Sequence, residues 1–369
     1  MRAAVVFETG QPLQVVDDIE IIEPRAGEVR VDIHYCSLCH SDYSLISGVM
    51  GPIPGPVVVG HEAAGVVESV GAGVTHLAVG DHVVLTPIPS CGHCYYCQRG
   101  DQSLCVNGQS MATYRLADGN TTLSRGGSEV LKGVGVAALA EQVVCPASGA
   151  IKIDDDIPLD VACVTGCAVQ TGVGAVLNTA DVEADATVLI QGLGGIGMAA
   201  VQGARLAAAS QIIVSDPLAD RRELALKLGA TSAIDPTSTD VLTYVMEKTA
   251  GIGVDYAFET AGIAALIELG INATRAGGTT VSVGAPPIDQ GIKLDCVVMF
   301  TTMQKTLCGC LLGSCNSTRD IPRYMRAYQN GTLDLESMLS RTRPLAEINE
   351  AFDDLIEGRE IRTVMDIRA

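Results

Sequence analysis

Four cysteines crowd the segment CGHCYYCQRGDQSLC, with two, two and seven residues between successive thiols at Cys91, Cys94, Cys97 and Cys105. Thiolates so spaced can wrap one tetrahedral ion, and a closed four-sulfur set is what a structural zinc takes. An iron–sulfur cluster is the rival metal, but the bacterial ferredoxin run needs closer spacing and a Cys-Pro ending, which this segment lacks. A pair of disulfides is the remaining alternative, and disulfides belong mainly to oxidising compartments and small chains. Gly92 and Gly100 let the backbone turn about an ion, and His93 and Arg99 are candidates to offset the thiolate charge.

A second set is scattered. All six histidines fall between His34 and His93, so metal and proton chemistry is expected largely from the N-terminal part. Cys39 lies in CSLCHSDYS, His61 and Glu62 sit at the turn of GPVVVGHEAAGVVESVGAGV, and Cys167 lies in the charge-free TGCAVQTG. A histidine beside a strand is ordinarily a bonded core residue, and company makes His61 a ligand candidate. Two thiolates and an imidazole would form an open zinc site whose fourth position takes water or substrate. The other cysteines (36, 145, 163, 296, 308, 310 and 315) are expected to be small buried apolar residues.

The third feature is GLGGIG at 192–197, which follows the apolar run TVLI and opens a segment of helical pattern. In that context Gly192 permits a tight turn, Gly194 lets the backbone approach a pyrophosphate, and Gly197 allows close helix–strand packing. Gly195 and Ile196 complete the turn. Asp216 ends the next apolar run, QIIVSD, 19 residues after Gly197. A carboxylate there accepts hydrogen bonds from both ribose hydroxyls and repels a 2′-phosphate, so NAD is expected over NADP.

These residues need two kinds of scaffold. Up to about residue 150 the chain shows short β-like runs such as RAAVVF, EVRVDIHY and DHVVL, broken by Gly and Pro. From residue 187 strand-like runs alternate with helical patterns, as in a parallel doubly wound sheet. A length of 369 residues suits about two domains. A net charge of −19, from 24 basic and 43 acidic residues, argues against nucleic acid or anionic lipid as a partner. The uncharged stretch 161–180 is too rich in Gly, Thr, Gln and Asn for a membrane span. The opening MRAAVVFETG does not read as a secretory signal. A cytoplasmic, reducing location is therefore expected.

Taken together, SLCHSD (37–42), GHEAAGVVESVG (60–71), the four-cysteine loop, GCAVQTGVGAV (166–176), GLGGIG and IRTV (361–364) resemble the zinc-dependent alcohol dehydrogenases of the medium-chain dehydrogenase/reductase superfamily. The resemblance implies an α/β chain with a GroES-like, mostly β catalytic domain over 1–168 and 312–369. A Rossmann NAD-binding domain over 169–311 would be inserted between them. It also implies Cys39, His61 and Cys167 as catalytic zinc ligands, with Glu62 behind the metal, Asp42 orienting His61 and Ser41 taking the substrate proton. His40 and Arg362 would contact the cofactor pyrophosphate, and Arg221 the adenosine ribose. Two zinc ions per chain, NAD, a primary alcohol or aldehyde as substrate, and a homodimer or homotetramer complete what is implied.

Two departures bear on the activity. A histidine that ends the proton path in many such enzymes is replaced by Ser44. The thiol-adduct formaldehyde dehydrogenases of the family carry an arginine shortly after the fourth cysteine, where this chain has VNGQS. The segment LLGSCNSTRDIPRYM (311–325) resembles the actinobacterial nicotinoprotein branch, whose members keep NAD(H) bound.

Overall fold

In the strand Glu28–Ser37, Val29, Val31 and Ile33 are buried and alternate with half-exposed Arg30, Asp32 and His34, the period-two pattern of a sheet with one covered face. A computed structural model describes residues 1–369. It places this strand at the centre of a seven-stranded sheet, between Glu62–Val70 and Thr363–Asp366, with Gln142–Pro146 also paired to it.

The register of these pairings matters most. Glu28–Ser37 and Glu62–Val70 run antiparallel with Ser37 opposite Glu62, so the end of one strand meets the start of the other. Val364 pairs with Ser37 on the other side, which brings the start of the C-terminal strand to the same end of the sheet. The register shifts between Ile33 and Tyr35, and beyond the shift Cys36 and Ser37 are both buried. A bulge of this kind re-aims side chains, and here it precedes the functional segment that follows the strand.

The chain divides into two compact units, Met1–Ala168 with Cys315–Ala369, and Val169–Ser314. The first is mixed and largely antiparallel. It holds a six-stranded sheet that includes Ala3–Val6 and Ser128–Lys132, besides the seven-stranded one. The second is a six-stranded sheet whose order runs Ser232–Ile234, Gln211–Ser215, Thr187–Gln191, Val254–Glu259, Thr274–Ser282, Thr306–Gly309, all pairs parallel. Strand order reverses at Thr187–Gln191, the doubly wound arrangement in which ligands lie beyond the carboxyl ends of the strands. No single helix is long and apolar enough to cross a membrane.

Leu189 sits in the middle of that parallel sheet, fully buried against Ile213, Ile234, Val254 and Ala257. Leu189→Ala should lower the unfolding free energy by about 2–5 kcal/mol, measured by urea denaturation. A variant as stable as the parent would contradict the packing described.

Candidate active site and metal centres

The sheet end that gathers Ser37, Glu62 and Val364 carries the first cluster. Cys39 follows one strand by two residues, His61 precedes the other by one, and Glu62 begins it. Cys167 arrives from a separate segment, and Gly166 explains how: a Cβ there would lie 2.5 Å from the Leu85 carbonyl. Only glycine lets this segment press so closely on the sheet. One ligand atom each from Cys39, His61, Glu62 and Cys167 then fall within 4.8 Å of one another.

Asp42, on the helix His40–Ser47, organises the histidine. Its Oδ2 lies 3.0 Å from His61 Nδ1. Its Oδ1 accepts the Gly60 amide at 2.8 Å. Gly60 holds a φ of +97°, and a Cβ there would meet the Leu139 amide at 2.6 Å, so the turn into His61 depends on glycine. Nδ1 faces this carboxylate at contact distance, though not in line for a hydrogen bond, which leaves Nε2 for the cluster, as in a ligating imidazole oriented by a carboxylate.

The electrostatics are those of crowded charge without water. A hydrogen bond from the Cys167 thiol, aided by His61 and opposed by burial, holds the Cys39 thiol well below its ordinary range. Cys167, as the donor and largely removed from water, is pushed well above its own. Burial opposes protonation of His61, yet the Asp42 carboxylate and the Cys39 thiolate outweigh it and raise its pKa. Burial pushes the Glu62 carboxyl up to about 8 even though Arg362 pulls the other way. Arg362 Nη1 lies 3.2 Å from Glu62 Oε1 and donates to the Leu38 carbonyl at 2.6 Å. Neither Glu62 oxygen has a well-aligned hydrogen-bond donor. Two thiols, one oriented imidazole and an unsatisfied buried carboxylate form a donor set that suits zinc.

Ser41 is exposed, and its hydroxyl oxygen lies 3.7 Å from Cys39 Sγ. Ser44, one helical turn on, is half-buried. His40 is exposed at the first helical position. Arg362, by contrast, is buried behind the cluster on Glu62, a pairing that sequence spacing gives no means to see.

The four-cysteine loop also closes on itself. The Sγ atoms of Cys91, Cys94, Cys97 and Cys105 lie within 4.8 Å of one another. Backbone amides already point at sulfur: Cys91 N–H to Cys105 Sγ and Cys94 N–H to Cys91 Sγ, both at 3.3 Å. The Cys97 and Val106 amides help push the Cys94 thiol down to about 6, while burial pushes Cys105 up to about 12. Tyr95, Tyr96, Leu104 and Val106 of the same lobe face solvent, so apolar burial does little to hold it. A lobe with so little apolar burial needs an ion or a crosslink, and its four thiols are gathered closely enough to hold one ion. Arg99 lies beside Asp101 and over the Tyr95 ring rather than on the thiolates.

In the second unit the glycine turn has the expected shape. Gly192 has a φ of +89°, and a Cβ on Gly197 would meet the Gly192 carbonyl at 1.9 Å. A Cβ on Gly194 would meet nothing within 4 Å, which leaves an open cradle at the N-cap of the helix Gly195–Leu206. Amides at such a helix start suit a phosphate, and Gly195 and Ile196 supply the first two. Asp216 is buried, and its oxygens accept the Leu193 amide at 2.7 Å and the Leu218 amide at 2.9 Å. Each carboxylate oxygen keeps a further lone pair. Arg221 is half-buried in the first turn of the next helix, Ala219–Leu228.

One expectation needs correcting. Cys36, Cys145, Cys163 and Cys315 are buried, but Cys296 is exposed and Cys308 and Cys310 are partly so. Cys296 caps a short helix whose Val297 and Val298 are also exposed, so apolar residue type does not imply burial there.

Comparison with known proteins agrees with this geometry. Residues 25–155 match the alcohol dehydrogenase GroES-like domain family and residues 195–330 the zinc-binding dehydrogenase family. The chain is 38% identical over 367 residues to the NDMA-dependent alcohol dehydrogenase of Amycolatopsis methanolica, covering 99% of this chain and 98% of the relative. A crystal structure of an alcohol dehydrogenase zinc-binding domain protein from Burkholderia ambifaria superposes with a TM-score of 0.93 at 34% identity, over 100% of this chain and 99% of that one. Benzyl alcohol dehydrogenase from Acinetobacter calcoaceticus gives 0.92 at 29% identity, over 99% and 98%. The chain belongs to the zinc-dependent alcohol dehydrogenases of the medium-chain dehydrogenase/reductase superfamily. It is an oxidoreductase with a GroES-like domain and a nucleotide-binding domain.

Asp42 serves two buried partners, so Asp42→Ala should destabilise the chain by about 1–3 kcal/mol through the unpaired Gly60 amide alone. Asp42→Asn keeps an acceptor for that amide and should cost less. Chemical denaturation of both variants checks this, and equal stabilities would contradict it.

Proposed function

We propose that the chain interconverts primary alcohols and aldehydes with NAD as hydride carrier and holds two zinc ions. The observation that supports this best is the convergence of Cys39, His61 and Cys167 at one sheet end, with Asp42 fixing the imidazole. These three residues would hold the catalytic ion, and Cys91, Cys94, Cys97 and Cys105 the structural one. When bound, the catalytic ion supplies Lewis-acid polarisation of a substrate oxygen. Ser41 receives the substrate's hydroxyl proton and hands it to solvent, which its exposure allows. Ser44 cannot ionise at neutral pH as a histidine does, so the outer path runs through water or His40. Arg362, 3.2 Å from Glu62, opposes the effect of burial and so favours the charged carboxylate beside the cluster.

On the nucleotide side, Gly192, Gly194 and Gly197 shape the turn, and the Gly195 and Ile196 amides receive the pyrophosphate. Asp216 accepts the ribose hydroxyls, with Arg221 beside it. The assignment of His40 and Arg362 to the pyrophosphate rests on family resemblance, as does a dimeric or tetrameric state.

A second reading concerns the cofactor. Similarity to an NDMA-dependent enzyme favours NAD(H) that stays bound and is recycled by an external acceptor. Assays of a primary alcohol with NAD, and separately with NDMA, distinguish the two. In whichever assay supports turnover, Ser41→Ala should lower kcat by roughly 10²-fold, and Ser44→Ala by less. Equal losses at both positions would overturn the proton path, and no alcohol-dependent turnover in either assay would overturn the activity.

A further inference from the structure

Two neighbouring strands of the parallel sheet, Gln211–Ser215 and Ser232–Ile234, are each followed by an Asp-Pro pair, Asp216-Pro217 and Asp235-Pro236. The Asp216 amide donates to the Ile234 carbonyl at 3.2 Å, so the two strand ends lie side by side. Arg222, from the helix Ala219–Leu228, reaches across both. Its Nη1 donates to the Asp216 carbonyl at 2.7 Å, and its Nη2 lies 3.4 Å from Asp235 Oδ2. Asp235 is itself anchored, because its Oδ1 accepts both the amide and the hydroxyl of Thr237, at 2.9 and 2.6 Å.

A guanidinium is the side chain best suited to a phosphate, which it can grip with two parallel hydrogen bonds. Arg222 rests on the carbonyl of the very residue whose carboxylate is assigned to the ribose. It is therefore, with its neighbour Arg221, a cation in this corner that a 2′-phosphate would recruit. We infer that Asp235 is a second determinant of cofactor choice, holding Arg222 in an ion pair and so withholding it from a 2′-phosphate. NADP is then refused twice: by the negative charge of Asp216, and by restraint of a nearby cation. The inference rests on the reading of the glycine turn as the NAD site.

The test uses Asp235→Asn, which keeps an acceptor for Thr237 while removing the charge, and the double variant that adds Arg222→Ala. Adenosine 2′,5′-bisphosphate and AMP are titrated calorimetrically into the full-length proteins. Asp235→Asn should bind the bisphosphate roughly fivefold tighter or more, with AMP unchanged, since a charge-assisted bond outweighs a part-exposed ion pair. The gain should vanish in the double variant. Where the purified chain retains its nucleotide, the ratio of NADP to NAD extracted from parent and variant should shift in the same direction. Unchanged bisphosphate affinity, or a gain that survives Arg222→Ala, overturns the role of Asp235. A parent that binds neither AMP nor bisphosphate and carries no nucleotide overturns instead the nucleotide site itself.

Discussion

The antiparallel register that sets Ser37 opposite Glu62 is the constraint on which the site depends. A one-residue slip would turn every side chain of the strand to the other face, separating Cys39 from His61 and burying the wrong residues. The third strand of the same end, with Val364 on Ser37, delivers Arg362 to Glu62 by the same logic. Residues 39, 61 and 362 thus meet because hydrogen-bond ladders place them at one edge, and side-chain attraction need not find them. Gly166 adds Cys167 by close approach to that edge.

Such a site is costly to fold. Asp42, His61, Glu62 and Arg362 are each at most 4% exposed, and every buried ion loses several kcal/mol of hydration. Pairing Asp42 with His61 and Glu62 with Arg362 offsets part of that loss. Hydrophobic residues of similar volume would often stabilise such positions better. The cluster is therefore explained by chemistry rather than by stability, and its two thiols, imidazole and carboxylate make a donor set that suits a cation. The four-cysteine lobe has the opposite character: its exposed tyrosines bury little apolar surface, and an ion held by its thiols would supply folding free energy in their place.

How much of this is legible in the sequence depends on locality. The four-cysteine loop and the glycine turn are read directly, because each is one short segment whose spacing is its geometry. Cys39, His61 and Cys167 are far apart, and only their joint presence, together with family resemblance, marks them. The pairing of Arg362 with Glu62 is a long-range consequence of strand register that no local pattern encodes. Gly60 and Gly166 carry no functional group, so their part in placing His61 and Cys167 emerges only from backbone clearance. Asp235 and Arg222 look like surface charges until the two strand ends are seen together. The exposed Cys296 fails the burial expectation because its helix is short and packs little of itself away.

The central claim is that two separate clusters each hold one metal ion, and zinc content tests it most directly. Elemental analysis of the purified parent should give about two zinc ions per chain, and His61→Ala about one. A parent with one ion or none, or a His61→Ala variant that keeps the full complement, would contradict the account.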